Sequence, residues 1–352
     1  MEQPTHTLKT SVVILNWNGC EMLRRFLPSV MAHSMGSHRE ICVADNGSTD
    51  ESVSMLRREF PTVRLILLDR NYGFAEGYNR ALEAVNTHYT VLLNSDVEVT
   101  AGWLDTLEQF MDAHPEAAAC QPKLLSWHRK EHFEYAGAAG GWIDAYGYPF
   151  CRGRLLHEVE KDHGQYNQVA PVFWATGAAL FIRTHDYRQV GGLDNAFFAH
   201  MEEIDLCWRL RARGRAIYCV PTSQVYHVGG GTLQKENPRK TFLNFRNNLL
   251  MLHKNLPEAR LKPVMRIRTF LDYLAAAVYL LKGQWANARE VLKARQAFAR
   301  MRPAYDGLRR ENLAKTTVHT IPEQFGGSLL WRFYAKGQRT FDRLMFHPNN
   351  PY

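Results

Sequence analysis

Three carboxylates crowd one short stretch of the chain: Glu202, Glu203 and Asp205, in Phe-Phe-Ala-His-Met-Glu-Glu-Ile-Asp-Leu-Cys-Trp, residues 197–208. The apolar pattern that follows predicts a helix starting near Met201. On one reading the acids are structural, because the helix dipole favours them in a first turn and Asp205 can pair with Arg209 four residues on. The other reading is catalytic. Phe197 and Phe198 predict apolar surroundings for the helix start, and a carboxyl group that is partly dry and close to other carboxylates has its pKa pushed upward. It is then a candidate general base. Two more acids close short apolar runs: Asp45 after Ile-Cys-Val-Ala, and Asp96 after Val-Leu-Leu-Asn-Ser. An acid at 45 can accept hydrogen bonds from a nucleobase or ribose. An acid at 96 can hold Mg2+ or Mn2+ against a diphosphate. Each is also readable as a turn acid. His227 leads into Gly229-Gly230-Gly231 and is a candidate second metal ligand beside Asp96, or an ordinary structural histidine.

Positioning these groups takes a sheet. Over the first 120 residues, short β-branched runs (Ser-Val-Val-Ile-Leu-Asn, Glu-Ile-Cys-Val-Ala-Asp, Val-Arg-Leu-Ile-Leu-Leu, Tyr-Thr-Val-Leu-Leu) alternate with stretches of helical spacing. Alternating strands and helices predict βαβ units and a mostly parallel sheet covered on both faces. Ser48 or Asp50 is a candidate cap for the second helix. Ligands of such sheets sit beyond the carboxyl ends of the strands. Asn16, Asp45 with Asn46, and Asn94-Ser95-Asp96 therefore share one edge although they are far apart in the chain. Residues 121–170 are rich in Gly and aromatics and read as loops and short strands lining a cleft. Val-Phe-Trp-Ala-Thr-Gly-Ala-Ala-Leu-Phe-Ile-Arg, residues 172–183, reads as one long strand. Residues 216–230 supply another strand or two, with Pro221 keeping part of the run off a central strand. Three basic helices are expected after Lys240, and little is assigned to the last forty residues.

Composition narrows the classes. The 352 residues, 45% hydrophobic, suffice for a large core. The N-terminal ten residues have no signal-peptide apolar core, and the longest membrane-like run, Tyr273 to Leu281, is far short of the ~20 residues a bilayer needs. The six cysteines form no CxxC pair and read as small core residues of a chain in a reducing, cytoplasmic setting. Residues 236–352 hold 21 Lys and Arg against 8 Asp and Glu, whereas the part before them is mildly acidic. A basic tail implies an anionic partner, whether nucleic acid, a membrane surface or a phosphate-bearing substrate, and charge alone does not choose among them. No Gly-x-Gly-x-x-Gly follows the first strand and no Walker A lysine motif is present, which disfavours dehydrogenases and P-loop NTPases. No nucleic-acid-binding motif is found. A sugar-phosphate nucleotidyltransferase and a non-catalytic saccharide- or nucleic-acid-binding protein are two classes that composition leaves open.

In this order and spacing, Ser-Val-Val-Ile-Leu-Asn-Trp-Asn-Gly, Val-Ala-Asp-Asn-Gly-Ser-Thr-Asp, Asp-Arg-Asn-Tyr-Gly-Phe-Ala-Glu-Gly-Tyr-Asn-Arg, Val-Leu-Leu-Asn-Ser-Asp and the Glu202–Glu203 helix resemble the inverting family 2 glycosyltransferases of GT-A fold, above all the rhamnosyltransferase-like bacterial enzymes of cell-surface polysaccharide. The resemblance covers Ser11 to about His227. It implies an α/β GT-A domain over residues 1–235, with a donor half to about 120 and an acceptor half after it, followed by a basic, largely helical region over 236–352. It implies a nucleotide-diphosphate-sugar donor and an acceptor hydroxyl, on a glycan or a polyprenyl-diphosphate-linked carrier. Asn16, Asn18, Asp45, Asn46, Asn71, Gly73, Gly77, Asn94, Ser95, Asp96, Gly177 and Arg246 are implied donor-site residues. Asp96 and His227 are the implied ligands of Mg2+ or Mn2+. Asn94 stands where the family carries the first aspartate of its Asp-x-Asp. The family's base is an acid of a Glu-Asp pair, so Glu203 is the implied base, with Glu202 as its rival and Asp205 nearby. The helix Arg-Ile-Arg-Thr-Phe-Leu-Asp-Tyr-Leu-Ala-Ala-Ala-Val-Tyr-Leu-Leu is expected either to lie on an anionic membrane surface or to pack on the catalytic part or a dimer interface.

Overall fold

A computed structural model describes residues 8–229 and 237–345. The first four βα pairs follow the expected alternation: β1 (Thr10–Asn16), α1 (Cys20–Ser34), β2 (Arg39–Asn46), α2 (Ser52–Glu59), β3 (Arg64–Leu68), α3 (Gly73–Glu83), β4 (Tyr89–Leu93), a short β5 (Val97–Val99) and α4 (Trp103–Ala113). Then come β6 (Ala117–Ser126), four short strands β7 (Gly141–Asp144), β8 (Pro149–Cys151), β9 (Arg154–Leu155) and β10 (Glu158–Val159), and β11 (Ala170–Pro171). The chain continues through β12 (Ala179–Arg183), α5 (Thr184–Gln189), α6 (Glu202–Ala212) and β13 (Ala216–His227). It ends with α7 (Pro238–Asn255), α8 (Glu258–Leu281), α9 (Trp285–Ala314), β14 (Gln324–Phe325) and α10 (Phe341–Met345).

The large sheet runs β11-β13-β6-β12-β4-β1-β2-β3. β1, β2, β3 and β4 are mutually parallel, and β12 enters antiparallel between β4 and β6. Period-2 alternation splits each strand between two cores. Val12 and Ile14, Ile41 and Val43, and Val91 and Leu93 pack with α1, α2 and α4, while Val13, Cys42, Ala44 and Leu92 pack with α3 and α6. Register pairs Asn16 with Asp45 and Ile14 with Leu93, so the strand ends reach one edge together. β5 pairs antiparallel with the end of β13, Val97 opposite His227. That pairing carries Asp96 to the histidine from 131 positions away in sequence. All six cysteines are buried and free, as core residues should be.

Three expectations change. The run 172–183 is strand only over its last five residues, because residues 173–178 turn past Gly177 under the start of α6. Pro221 does not end a strand: β13 is one 12-residue strand whose register slips between Val220 and Gln224, and the bulge accommodates the missing N–H. The described part of the last forty residues, to Met345, is integral. β14 joins β7 in parallel to complete a second sheet, β10-β9-β8-β7-β14, and Phe325, Leu329, Phe333, Phe341 and Leu344 are buried in the same cluster as Val13 and Leu206. Asp50, rather than Ser48, serves the second helix, and it serves the first as well: its carboxylate accepts the N–H of Ser52 (3.0 Å) and of Cys20 (3.1 Å). Of the Gly-rich turn after His227, Gly230 and Gly231 lie outside the described residues.

Candidate active site

At the β1–β2 end the groups interlock. Asp45 is buried and accepts the Asn16 amide (3.1 Å) and the Ser48 N–H (3.0 Å). Asn16 Oδ1 is buried without a hydrogen-bond partner among the described residues, and a Cβ at Gly19 would fall 2.5 Å from it. Asn18, at φ 51°, laces the loops after β1 and β2: its Oδ1 accepts the Thr49 N–H (2.8 Å) and its own N–H donates to Ser48 Oγ (2.9 Å). Ser95 Oγ faces the same Gly19 turn. Asn46 and Asn71 shape the entry to α3. The Asn46 amide donates to Asn71 Oδ1 (3.2 Å) and the Gly73 carbonyl (3.0 Å), and its oxygen accepts the Tyr72 N–H (3.0 Å). Gly73, at φ 78°, lies under the Phe198 ring, where a Cβ would sit 2.4 Å from a ring carbon. At Gly77 a Cβ would approach Leu15 to 2.9 Å, so this glycine lets α3 close on the sheet.

At the β4–β5 end, His227 Nε2 lies 3.1 Å from Asp96 Oδ1 and 3.4 Å from the Asn94 amide, and Nδ1 lies 3.3 Å from a Glu134 carboxylate oxygen. Burial would push the imidazole down, but Glu134 and Asp96 together outweigh it and raise the pKa to about 10. Burial likewise works against the Asp96 carboxylate, yet the His227 charge and hydrogen bond, with backbone donors including Gly229, hold it below the usual range. Glu134 is also fixed by the Ala136 N–H (2.6 Å). This carboxylate was not picked out from the sequence. It follows no motif, lies in an aromatic loop, and meets His227 only through the tertiary fold.

A divalent cation fits this group. Asp96 offers a hard oxygen and His227 Nε2 points at it, while the Glu134 carboxylate, 3.3 Å from Nδ1, favours a proton on that nitrogen and so leaves Nε2 to ligate. Among the described residues no set of three or more His, Cys, Asp or Glu is placed to hold a metal ion by itself. Asp96 and His227 are the two residues that would hold a divalent cation, and the cation would supply charge opposite a diphosphate.

The third group is the start of α6, and there the trio of acids divides. Glu202 is buried and Glu203 half-buried. Neither is in a salt bridge, and each has one carboxylate oxygen without a partner among the described residues. Burial pushes Glu203 up to about 7 against its own and Ile204's backbone N–H groups. Burial, then the charges of Glu203 and Asp205, push Glu202 well above the usual range. Asp205 is different. It is fully buried between Lys254 (2.8 Å), Arg209 (3.0 Å) and the Asn255 amide (2.8 Å), and the two cations overcome burial and lower its pKa. Its expected place among the catalytic acids is thereby corrected, because both oxygens are held by an ion-pair network tying α6 to α7.

The loop into α6 is strained. Phe198, His200 and Met201 all have φ between 66° and 73°, conformations that cost L-residues on the order of 1–3 kcal/mol each. α7 holds the loop. The Asn247 amide donates to the carbonyls of Phe197 (2.9 Å), Ala199 (2.9 Å) and His200 (2.7 Å). Arg246 donates to Ala196 (2.8 Å) and Phe197 (3.1 Å), so the guanidinium expected at a phosphate is engaged with this loop. The Phe198 carbonyl in turn accepts the N–H groups of Phe74 (2.6 Å) and Ala75 (3.2 Å) at the start of α3.

Gly177 joins the ends. A Cβ there would be 3.7 Å from Glu203 Cβ and 3.2 Å from the Phe74 ring. The next residue, Ala178, accepts the Asn94 N–H (3.0 Å). The base candidate and the Asp96–His227 pair are thus linked through one short connection along the same sheet edge.

This sheet order, with β12 reversed between β4 and β6 and acids at the carboxyl edge, defines a GT-A nucleotide-sugar transferase fold. Solved structures share it. S. aureus TarS 1–349 in complex with UDP aligns over 88% of this chain and 89% of its own, TM-score 0.53 at 15% identity. The mannosyltransferase PcManGT from Pyrobaculum calidifontis, in complex with GDP-Man and Mn2+, aligns over 89% and 87%, TM-score 0.50 at 14% identity. Residues 11–132 match the family model described as glycosyl transferase family 2. The N-acetylglucosaminyl-diphospho-decaprenol L-rhamnosyltransferase of Mycobacterium tuberculosis is 28% identical over 236 residues, 61% of this chain and 75% of that protein. The rhamnosyltransferase WbbL of Escherichia coli is 36% identical over 163 residues, 44% of this chain and 61% of that protein. The chain is a GT-A-fold glycosyltransferase related to the family 2 glycosyltransferases and to rhamnosyltransferase-like enzymes.

Proposed function

We propose that the chain moves a sugar, rhamnose in the closest chemical reading of its relatives' names, from a nucleoside-diphosphate donor to a hydroxyl of a glycan or polyprenyl-diphosphate-linked acceptor, with inversion. The observation that carries this is the pairing of a half-buried, unpaired carboxyl group at Glu203 with the Asp96–His227 group along one edge. Asp45 and the free Asn16 Oδ1 accept from the nucleobase or ribose, which would give the orphaned buried oxygen its partner. Asp96 and His227 hold Mg2+ or Mn2+, whose charge would stabilise the leaving diphosphate. Glu203 takes the acceptor proton as the new bond to the anomeric carbon forms and the bond to the diphosphate oxygen breaks. Glu202 stays protonated beside it and spares the pair a second negative charge. Gly177 leaves room at the sugar, and the aromatic stretch 133–150 forms the acceptor wall.

Calorimetry of a nucleotide-sugar panel, with and without Mn2+, tests the reading. Binding of one class of diphosphate sugar that strengthens with Mn2+ is the expected result. No donor binding, together with turnover of a sugar 1-phosphate and a nucleoside triphosphate, would move the protein to the nucleotidyltransferases.

A further inference from the structure

One face of α8 is committed. Val264, Arg268, Asp272 and Ala276 are buried, and Arg268 pairs with Asp272 (3.1 Å) and donates to the Tyr146 carbonyl (2.9 Å) and to Asn248. Another face is not. Ile267, Phe270, Leu274, Val278 and Leu281 are exposed, Phe270 to 67% and Leu281 to 88%, and Trp285 at the start of α9 continues the row at 69%. At about 100° per residue the five α8 positions fall within an arc of roughly 80°, over a length of about 21 Å. A continuous apolar row of this kind marks a contact surface.

Its surroundings select the contact. Lys262 and Arg266 stand exposed towards one end, Lys282 and Arg289 at the other. Residues 259–305 contain ten Lys and Arg but two acids. Both acids are engaged, Asp272 with Arg268 and Arg295 (2.6 Å) and Glu290 with Lys293 (2.5 Å). A second copy packed on this row would set basic rims against each other, whereas an anionic lipid surface accepts the apolar row and the cations together. No helix among the described residues is long and apolar enough to cross a membrane, so the contact lies in the plane of the surface.

The row is close to the chemistry. Asn248, which Arg268 contacts, donates to the Gly147 carbonyl (2.7 Å) and touches Met201 Sδ (3.8 Å), and Met201 precedes Glu202 and Glu203. One helix, α7, lies between the row and the base. We infer that α8 docks on an anionic bilayer with Phe270, Leu274 and Leu281 at the headgroup boundary. The purpose of this docking rests on the lipid-linked acceptor proposed above, but the docking itself does not.

Co-sedimentation of the full chain with phosphatidylglycerol-containing and with pure phosphatidylcholine vesicles tests it. The parent should pellet with the anionic vesicles and be released at about 0.5 M salt. The double variant Phe270→Glu/Leu281→Glu should bind about tenfold more weakly, as should Lys262→Gln/Arg266→Gln/Lys282→Gln, which keeps the apolar row and guards against misfolding of the first. Donor binding by calorimetry should persist in both. Equal pelleting of parent and both variants overturns the inference. A parent that is dimeric and ignores vesicles, with a monomeric Phe270→Glu/Leu281→Glu variant, overturns it in favour of a second copy. Vesicle binding without any transfer would uphold the docking surface while rejecting the transferase reading.

Discussion

Two buried acid clusters face the same sheet edge and titrate in opposite directions. At the start of α6, Glu202 and Glu203 have no cation beside them among the described residues, and burial carries both upward. At the β5–β13 junction, Asp96 is as buried but lies against His227, and its carboxylate is held below the usual range. Asp205 supplies the control. It is two residues from Glu203 on the same helix, more deeply buried, and lowered because Lys254 and Arg209 grip it. Burial alone makes a proton acceptor matched to neutral pH; burial with a cation makes a permanent anion. The opposite directions of the two groups therefore follow from where cationic side chains are placed.

The comparison breaks most visibly at the base. Glu203→Gln should cut transfer about 10³-fold while donor binding stays within a few-fold, as read by initial rates and calorimetry. Loss of donor binding instead would move Glu203 out of the base role. On the other side, Glu134→Gln should weaken Mn2+ binding about 10–100-fold by releasing His227 Nδ1, measured by direct titration of the metal in the presence of nucleoside diphosphate. An unchanged titration would make Glu134 structural. Asp205→Asn should lower stability by about 3 kcal/mol in a denaturant titration, since buried Arg209 loses its carboxylate and Lys254 keeps Asp194 alone. It should leave the pH dependence of transfer in place; a changed pH profile would return Asp205 to the chemistry.

The smallest effect concerns stability. A carboxyl group whose folded pKa is raised binds more protons in the native state between its unfolded and folded values, so stability falls as pH rises from about 4.5 to about 7. Glu203→Gln removes that loss. The variant should melt about 2–4 °C above the parent at pH 8 and close to it at pH 5.

Much of the edge was legible from local pattern. β-branched runs ending in Asn16, Asp45 and Asp96 imply parallel strands whose ends coincide, and acids before Leu206 and Leu210, both buried, imply an acidic helix start. What escaped was whatever depends on distant pairing. Glu134 meets His227 across 93 positions and Asn247 meets the loop before α6 across about 50, with no periodicity to announce either. The positive φ values at Phe198, His200 and Met201 run against residue preference and exist only because Asn247 and Arg246 hold the loop. Asp205 shares the motif of its neighbours and is set apart by Arg209, whose i,i+4 spacing is legible, and by Lys254 and Asn255, which arrive from another helix. The tail residues Phe325 and Phe341 are scattered apolar positions until β14 pairs with β7.

The most direct test is the pH profile of kcat at saturating donor and divalent cation, compared with that of Glu202→Gln. Transfer by the parent should rise about tenfold per pH unit on the acid side and level off near pH 7. Because Glu202 is already neutral in this range, Glu202→Gln should leave that midpoint close to where it is. A flat profile from pH 5 to 9 in the parent would mean that no group like Glu203 accepts the proton, and would contradict the account.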